Sequence, residues 1–433
     1  MPNFARLCKW LCLTLVCIPL SLHAGKTIQS MVVFGDSLSD TGNTTHLLKS
    51  LRQEESPAYL VRPLKVFVIN KMTEFAYDYY VPQMVLDAGI EIVNNYFDTE
   101  FGPFLASVIS KVRKVPVLPG EPYWQNHFSN GRVWNEYLAP MLALDREDND
   151  DFANQAFGGS WAVTYDYQLT VWNLIRHPLN TLKTLIVGKL IPPSLGLTVQ
   201  AYLLMNEVLD DRTAYFVFTG ANDYLNVLVF EDNYNPAVMS AYIDNVLDGI
   251  ISGVNKLTKA GARHVIIMGL PDVGFTPKFV HTTDKPVLSA AIKLHNERLA
   301  ARVETLRQAQ PEVNFLYIDI NPLLQKALDH PADYGLTNIT DACIDVKLPM
   351  FGAFAASPYA RNYVLLYAQV LQYRDASFKR GERNYHVCDT PDNYLFWDEI
   401  HPTTRAHRYL AYEICEVMKA NGYKTNCQQP STI

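Results

Sequence analysis

No internal repeat or short-period pattern runs through the 433 residues, and only 19% of them are charged. With 48% hydrophobic residues, these absences exclude a collagen-like, coiled-coil or disordered chain. A basic excess is missing too: 37 Lys and Arg stand against 44 Asp and Glu, a net charge of −7. Gripping a phosphate backbone needs clustered cations, so no nucleic-acid partner is expected. No close Cys pair is followed by a close His pair at zinc-finger distance, which argues against a structural metal. What is present is a large folded chain with 25 Tyr, 20 Phe and 25 Pro. A single core stops growing near roughly 250–300 residues, so the length implies two domains or one domain enlarged by insertions.

The first 24 residues, MPNFARLCKWLCLTLVCIPLSLHA, have the layout of a secretory signal. Arg6 and Lys9 make a basic start, Leu11 to Leu20 an apolar stretch, and Leu22-His23-Ala24 a cleavage site. That stretch is too short to span a bilayer. Lipidation at Cys17 is disfavoured by the bulk of Val16 before it. Removal of 1–24 leaves 35 basic and 44 acidic residues, a net charge of −9. It also removes Cys8, Cys12 and Cys17 and leaves Cys343, Cys388, Cys415 and Cys427. An even count in a secreted chain points to two disulfides with three possible pairings, of which Cys343–Cys388 with Cys415–Cys427 is favoured. Four buried free thiols are the alternative.

Four short apolar runs read as strands: Ile28–Phe34, Ala214–Thr219, His264–Met268 and Asn314–Asp319. Each is β-branched or aromatic and continuous rather than alternating, as in a sheet buried on both faces. Helical patterns cover Met239–Ala260, Pro286–Ala309 and Thr403–Asn421. This alternation predicts an α/β fold with a parallel sheet, and ligands at the carboxyl ends of its strands. Two stretches fall outside the plan: an aromatic-rich insertion at 44–127 without clear periodicity, and 161–205 with Trp161, Trp172 and apolar runs around Leu185–Leu190. Neither is uniform enough for a transmembrane helix. They serve either as added cover for the sheet or as the lipid-facing rim that an acyl-chain substrate requires.

The chemistry lies in four separated motifs. The first strand runs into Gly35-Asp36-Ser37-Leu38, placing a hydroxyl at a strand-to-helix turn, where a helix N-terminus stabilises a developing alkoxide. Far downstream, Phe396-Trp397-Asp398-Glu399-Ile400-His401-Pro402 sets a carboxylate and an imidazole three residues apart. Asp398 can hold the tautomer while His401 takes the proton from Ser37, and Pro402 restricts the backbone of His401. His407, on the following helix, reads as structural. Two turns offer oxyanion donors, the Gly159 amide in Asn154–Gly159 and the Asn222 side chain in Thr219–Asp223, together with the Ser37 amide. Taken singly, each motif is an ordinary turn. All four in this order, at strand ends, are hard to explain without catalysis.

The set resembles the GDSL (SGNH) hydrolase family over nearly the whole mature chain. The resemblance implies a flavodoxin-like three-layer α/β/α fold, Ser37 as nucleophile, Asp398 and His401 as its triad partners, and an oxyanion hole of Ser37, Gly159 and Asn222. Within the family the chain looks like the secreted bacterial glycerophospholipid:cholesterol acyltransferases, through FGDSLSDTGN, FSNGRVWNEYLA, TGANDYL, LPDVG, YGLTNITDAC and FWDEIHPTT. It departs from them in the 44–127 insertion and in His127, which stands where relatives often carry Arg. In that subfamily a disulfide-bounded loop before the Asp/His block is a target of activating proteolysis. Here Cys343 and Cys388 bound such a loop, either a restraint awaiting a protease or a passive staple.

The resulting expectation is a signal peptide at 1–24 followed by a single catalytic domain at 25–433. The 364 positions between Ser37 and His401 favour one enlarged domain over two. Its activity is expected to be that of a secreted phospholipase A and lysophospholipase that acts at a host or vesicle membrane surface and transfers an acyl chain to a sterol. No metal or organic cofactor is required. A phospholipase without sterol transfer, a carbohydrate-ester deacetylase, and an adhesin or lipid-binding protein on a dead fold are the alternatives.

Overall fold

The computed structural model describes residues 25–53, 58–103, 119–144, 151–162, 194–225, 236–345 and 385–430. The expected leader, Trp172, the Leu185–Leu190 run and the interior of the 343–388 loop lie outside them.

Strand β1 (Ser30–Gly35) is followed by α1 (Asn43–Gln53), α2 (Ala58–Asp78), α3 (Gln83–Tyr96) and α4 (Trp134–Met141). Then come β2 (Phe152–Asn154), α5 (Leu195–Met205), β3 (Thr213–Phe218), the single turn α6 (Ala221–Tyr224), α7 (Pro236–Lys259) and β4 (His264–Met268). The chain closes with α8 (Lys285–Ala309), β5 (Asn314–Ile318), α9 (Asn321–Asp329), β6 (Asn338–Ala342), β7 (Tyr394–Phe396) and α10 (Thr404–Ala420). The strands pair in parallel in the order β2-β1-β3-β4-β5, and β6 and β7 form a separate parallel pair. The four expected strands and three expected helices all form, with ends shifted by at most three residues.

Alternation along β3 shows how the layers assemble. Phe216 and Phe218 point to one face, where Trp134 of α4 packs at ring distances of 5.6 and 6.1 Å. Tyr215 points to the other, where Tyr202 of α5 meets it and Phe34 of β1. α5 and α8 pack on α7, and α4 packs on α10. The result is a helical layer on each face of the sheet, the three-layer α/β/α arrangement, and it explains why β3 is buried along its whole length.

Two expectations need correction in detail. The 44–127 insertion, read as lacking periodicity, is helical over α1 to α3, with α2 packed on α3. The pattern is obscured by Pro63 and by runs of Val, Tyr and Phe, types enriched in strands. The serine turn also differs: α1 starts six residues after Ser37, and Asp40 takes its N-terminus by accepting the Gly42, Asn43 and Thr44 amides. The dipole of α1 therefore faces Asp40 and not Ser37. Among the described residues no helix is long and apolar enough to cross a membrane. Both favoured disulfides, Cys343–Cys388 and Cys415–Cys427, are formed.

Candidate active site

β1 delivers Gly35, Asp36 and Ser37 to the carboxyl edge of the sheet. A side chain at Gly35 would place its Cβ 2.8 Å from the Phe218 carbonyl of the neighbouring strand and 2.9 Å from Ser39 Oγ, so this position admits glycine alone. The turn beyond is bound on every side. Asn154 Nδ2 and Asn135 Nδ2 donate to the Ser39 carbonyl at 2.6 and 2.8 Å, and Trp134 Nε1 donates to Ser39 Oγ at 3.0 Å. Asp40 reaches across to accept the Gly158 amide at 2.8 Å. Ser37 is 7% exposed, so the turn presents it inside a cavity and not on an open surface.

The second half of the site arrives on the loop between β7 and α10. Asp398 Oδ1 accepts the Ile400 and His401 amides at 2.8 and 2.7 Å, which folds the loop into a turn around its own carboxylate. The Trp397 amide donates to the His401 carbonyl, and Ser129 Oγ donates to the Pro402 carbonyl. The imidazole is thereby fixed: His401 Nδ1 lies 2.7 Å from Asp398 Oδ2, and His401 Nε2 lies 2.8 Å from Ser37 Oγ. Burial works to raise the Asp398 carboxyl, but the His401 charge and hydrogen bond, the Tyr123 hydroxyl and the Ile400 amide together outweigh it and hold the group below its ordinary range. A hydroxyl held by an imidazole whose far nitrogen faces a buried carboxylate can lose its proton as it attacks a carbonyl.

The two oxyanion candidates lie on neighbouring loops. Asn222, in α6 directly after β3, lines the same cavity as Ser37 and His401 and donates one amide hydrogen to the Ser160 carbonyl at 2.7 Å. Gly159 precedes Ser160 with φ of +79°. It lies between Gly158, whose amide Asp40 holds, and the carbonyl that anchors Asn222, but it is not part of the cavity wall. Among the described residues neither the Ser37 nor the Gly159 amide donates a hydrogen bond.

Three contributions were missed at the sequence level. Tyr123 Oη donates to Asp398 Oδ2 at 2.7 Å across 275 positions, and nothing in the local sequence signals it. Phe128 lies beside the His401 ring at 5.3 Å, and a Cβ at Gly158 would strike that phenyl ring at 2.3 Å. Asp36 is buried, and burial pushes its carboxyl up to about 7 against the Leu38 amide and the His401 charge. His127, noted as a departure, pairs with Glu136 at 3.0 Å; burial works to lower its pKa, and Glu136 outweighs burial to raise it. His407 is enclosed in α10, and burial with the nearby His401 and His127 charges lowers it to about 3.

The family's sequence profile, that of the GDSL-like Lipase/Acylhydrolase, matches residues 31–414. The chain belongs to this family. Its activity is accordingly that of a lipase/esterase. Among individual relatives it is similar to the thermolabile hemolysin of Vibrio parahaemolyticus, 23% identical over 301 residues that cover 68% of this chain and 56% of the hemolysin. A GDSL esterase/lipase of Arabidopsis thaliana is 22% identical over 90% of this chain and 88% of its own length. The phosphatidylcholine-sterol acyltransferase of Aeromonas hydrophila is 24% identical over 67% of this chain and 79% of its own.

Proposed function

We propose that this lipase/esterase is a secreted acyl hydrolase and acyltransferase of glycerophospholipids and lysophospholipids, working through an acyl-enzyme on Ser37. Ser37 Oγ attacks the ester carbonyl while His401 Nε2 takes its proton. The Ser37 and Gly159 amides and the Asn222 side chain stabilise the oxyanion, each such donor contributing roughly 3 kcal/mol to the transition state. His401 returns the proton to the departing glycerol oxygen, and Asp398 steadies the imidazolium throughout. Water then releases the acyl group as a fatty acid, or a sterol hydroxyl accepts it as an ester. The carrying observation is the hydrogen-bonded series Ser37–His401–Asp398, of which Ser37 and His401 line an almost wholly apolar cavity. That cavity favours an acyl chain over the small polar groups a deacetylase would hold.

Similarity to a phosphatidylcholine-sterol acyltransferase supports phospholipid as donor and sterol as acceptor. The two disulfides and the leader-like start support export. The turn joining α2 and α3 supports action at a lipid surface: Tyr77, Tyr79, Tyr80 and Met84 are 65–93% exposed there, and amphipathic rings suit a membrane–water boundary. Residues 25–433 act as one catalytic domain, and the loop bounded by Cys343 and Cys388 restrains access until a protease nicks it. Incubating nicked, oxidised protein with labelled phosphatidylcholine vesicles, with and without cholesterol, tests the proposal in one chromatogram. Fatty acid, lysolipid and cholesterol ester are expected. Fatty acid without sterol ester would remove the transferase activity, and equal rates for nicked and intact protein would remove the activation.

A further inference from the structure

The cavity at Ser37 does not end at the catalytic groups. It is walled by Leu324 and Ala327 of α9, by Leu336 before β6, by Leu395 and Phe396 of β7, and by α10 from Ala406 to Glu413. Ala327, Tyr334, Leu336, Leu395, Phe396 and Tyr409 form an apolar cluster of their own, apart from the sheet core. The small β6–β7 pair thus builds one side of a slot whose other sides are α9 and α10. Along α10 alone the wall is about 10 Å long, at roughly 1.5 Å per residue. Ser37 and His401 lie beyond its N-terminal end, so an extended chain seated there needs more than about eight bonds before it reaches Glu413.

At that far end the character of the wall changes. Glu413 Oε1 accepts from Lys326 Nζ of α9 at 2.8 Å and from Tyr334 Oη at 3.5 Å, tying the two helices together. The Glu413 carboxylate is 16% exposed and Lys326 is more than half exposed, so the pair stands where the slot meets solvent. Methylene groups gain from the apolar wall, about fourfold in binding for each one buried. A chain that outgrows the wall meets a paired carboxylate and gains nothing further.

We propose that this slot is the acyl-chain subsite and that the Tyr334–Glu413–Lys326 cluster is its chain-length stop. The inference rests on the acyl-enzyme reading of Ser37. Its ligand class is an unbranched apolar acyl chain of medium to long length, with the ester at Ser37 and the methyl end toward Glu413.

The test measures kcat/KM of the full chain on p-nitrophenyl esters from butyrate to stearate. Ala327→Phe puts a ring into the middle of the slot and is expected to lower the palmitate-to-butyrate ratio at least tenfold. Glu413→Ala opens the far end and is expected to raise the stearate-to-laurate ratio about threefold. If Ala327→Phe fails to fold, as read by circular dichroism, Leu336→Ala removes part of the apolar wall and carries the same test, with the palmitate-to-butyrate ratio falling. Wild-type chain-length profiles in folded variants would overturn the subsite. Undiminished turnover of every ester by Ser37→Ala would instead overturn the acyl-enzyme reading, whatever the chain-length profile.

Discussion

At the residue scale the site is a balance of burial against hydrogen bonds. Asp398 carries four hydrogen bonds, two to each oxygen. Tyr123→Phe deletes the only one of these that, among the described residues, comes from outside the loop carrying Asp398 and His401. A lost hydrogen bond to a charged group costs roughly 1.5–3 kcal/mol, so kcat should fall at least about tenfold with KM little changed, as steady-state kinetics on a soluble ester will show. Asp36 behaves in the opposite sense. Its folded-state pKa of about 7 lies above the ordinary carboxylate value, so its contribution to stability is complete at acid pH and is lost as pH rises through 7. Asn keeps the oxygen that accepts the Leu38 amide and cannot ionise. Denaturant unfolding of Asp36→Asn and wild type at pH 5 and pH 8 should therefore show the difference in stability moving in favour of the variant at the higher pH. Ser37, Asp398 and His401 were legible because their spacing and neighbours follow a chemical logic. Tyr123 was not, because its role arises only when two loops 275 positions apart are brought into contact.

At the element scale the sheet was legible and the insertion was not, for one physical reason. Strands buried on both faces select continuous runs such as AYFVF and HVIIM, which few other environments favour. Helices α2 and α3 pack chiefly on each other, and their exposed apolar side chains blur the amphipathic stripe that marks an ordinary surface helix. The same exposure sets a test of the membrane reading. Asp78 closes α2 and Asp87 is the fifth residue of α3, with no Lys or Arg from 72 to 103, so contact with lipid there must be apolar and not electrostatic. Tyr79→Ser with Tyr80→Ser should lower the ratio of vesicle to monomeric-ester turnover about tenfold, and added salt should leave that ratio unchanged. A ratio equal to that of wild type would remove the turn from the lipid surface.

At the scale of the whole molecule, the segment before β1 meets the segment after α10. Lys26 pairs with Gly422 and Lys424 just before β1, and Ser37 meets His401 across 364 positions. The Cys415–Cys427 bond pins the C-terminal segment to α10 and closes a loop with a sequence separation of 12. In the chain-entropy account a loop of that size contributes about 3 kcal/mol. Cys415→Ser with Cys427→Ser should therefore lose roughly 2–3 kcal/mol of unfolding free energy in guanidinium titrations. The length left two domains or one enlarged domain open, and the proposed mechanism takes the second, a single catalytic unit over 25–433, because it draws on both Ser37 and His401. The proposed mechanism requires a covalent bond at one atom, Ser37 Oγ. Treating the full chain with a long-chain alkyl fluorophosphonate and mapping the adduct by peptide mass spectrometry should place one tag on Ser37, with none on a Ser37→Ala variant and much slower labelling of His401→Ala. A tag on any other residue, or an unlabelled and still active enzyme, would contradict it.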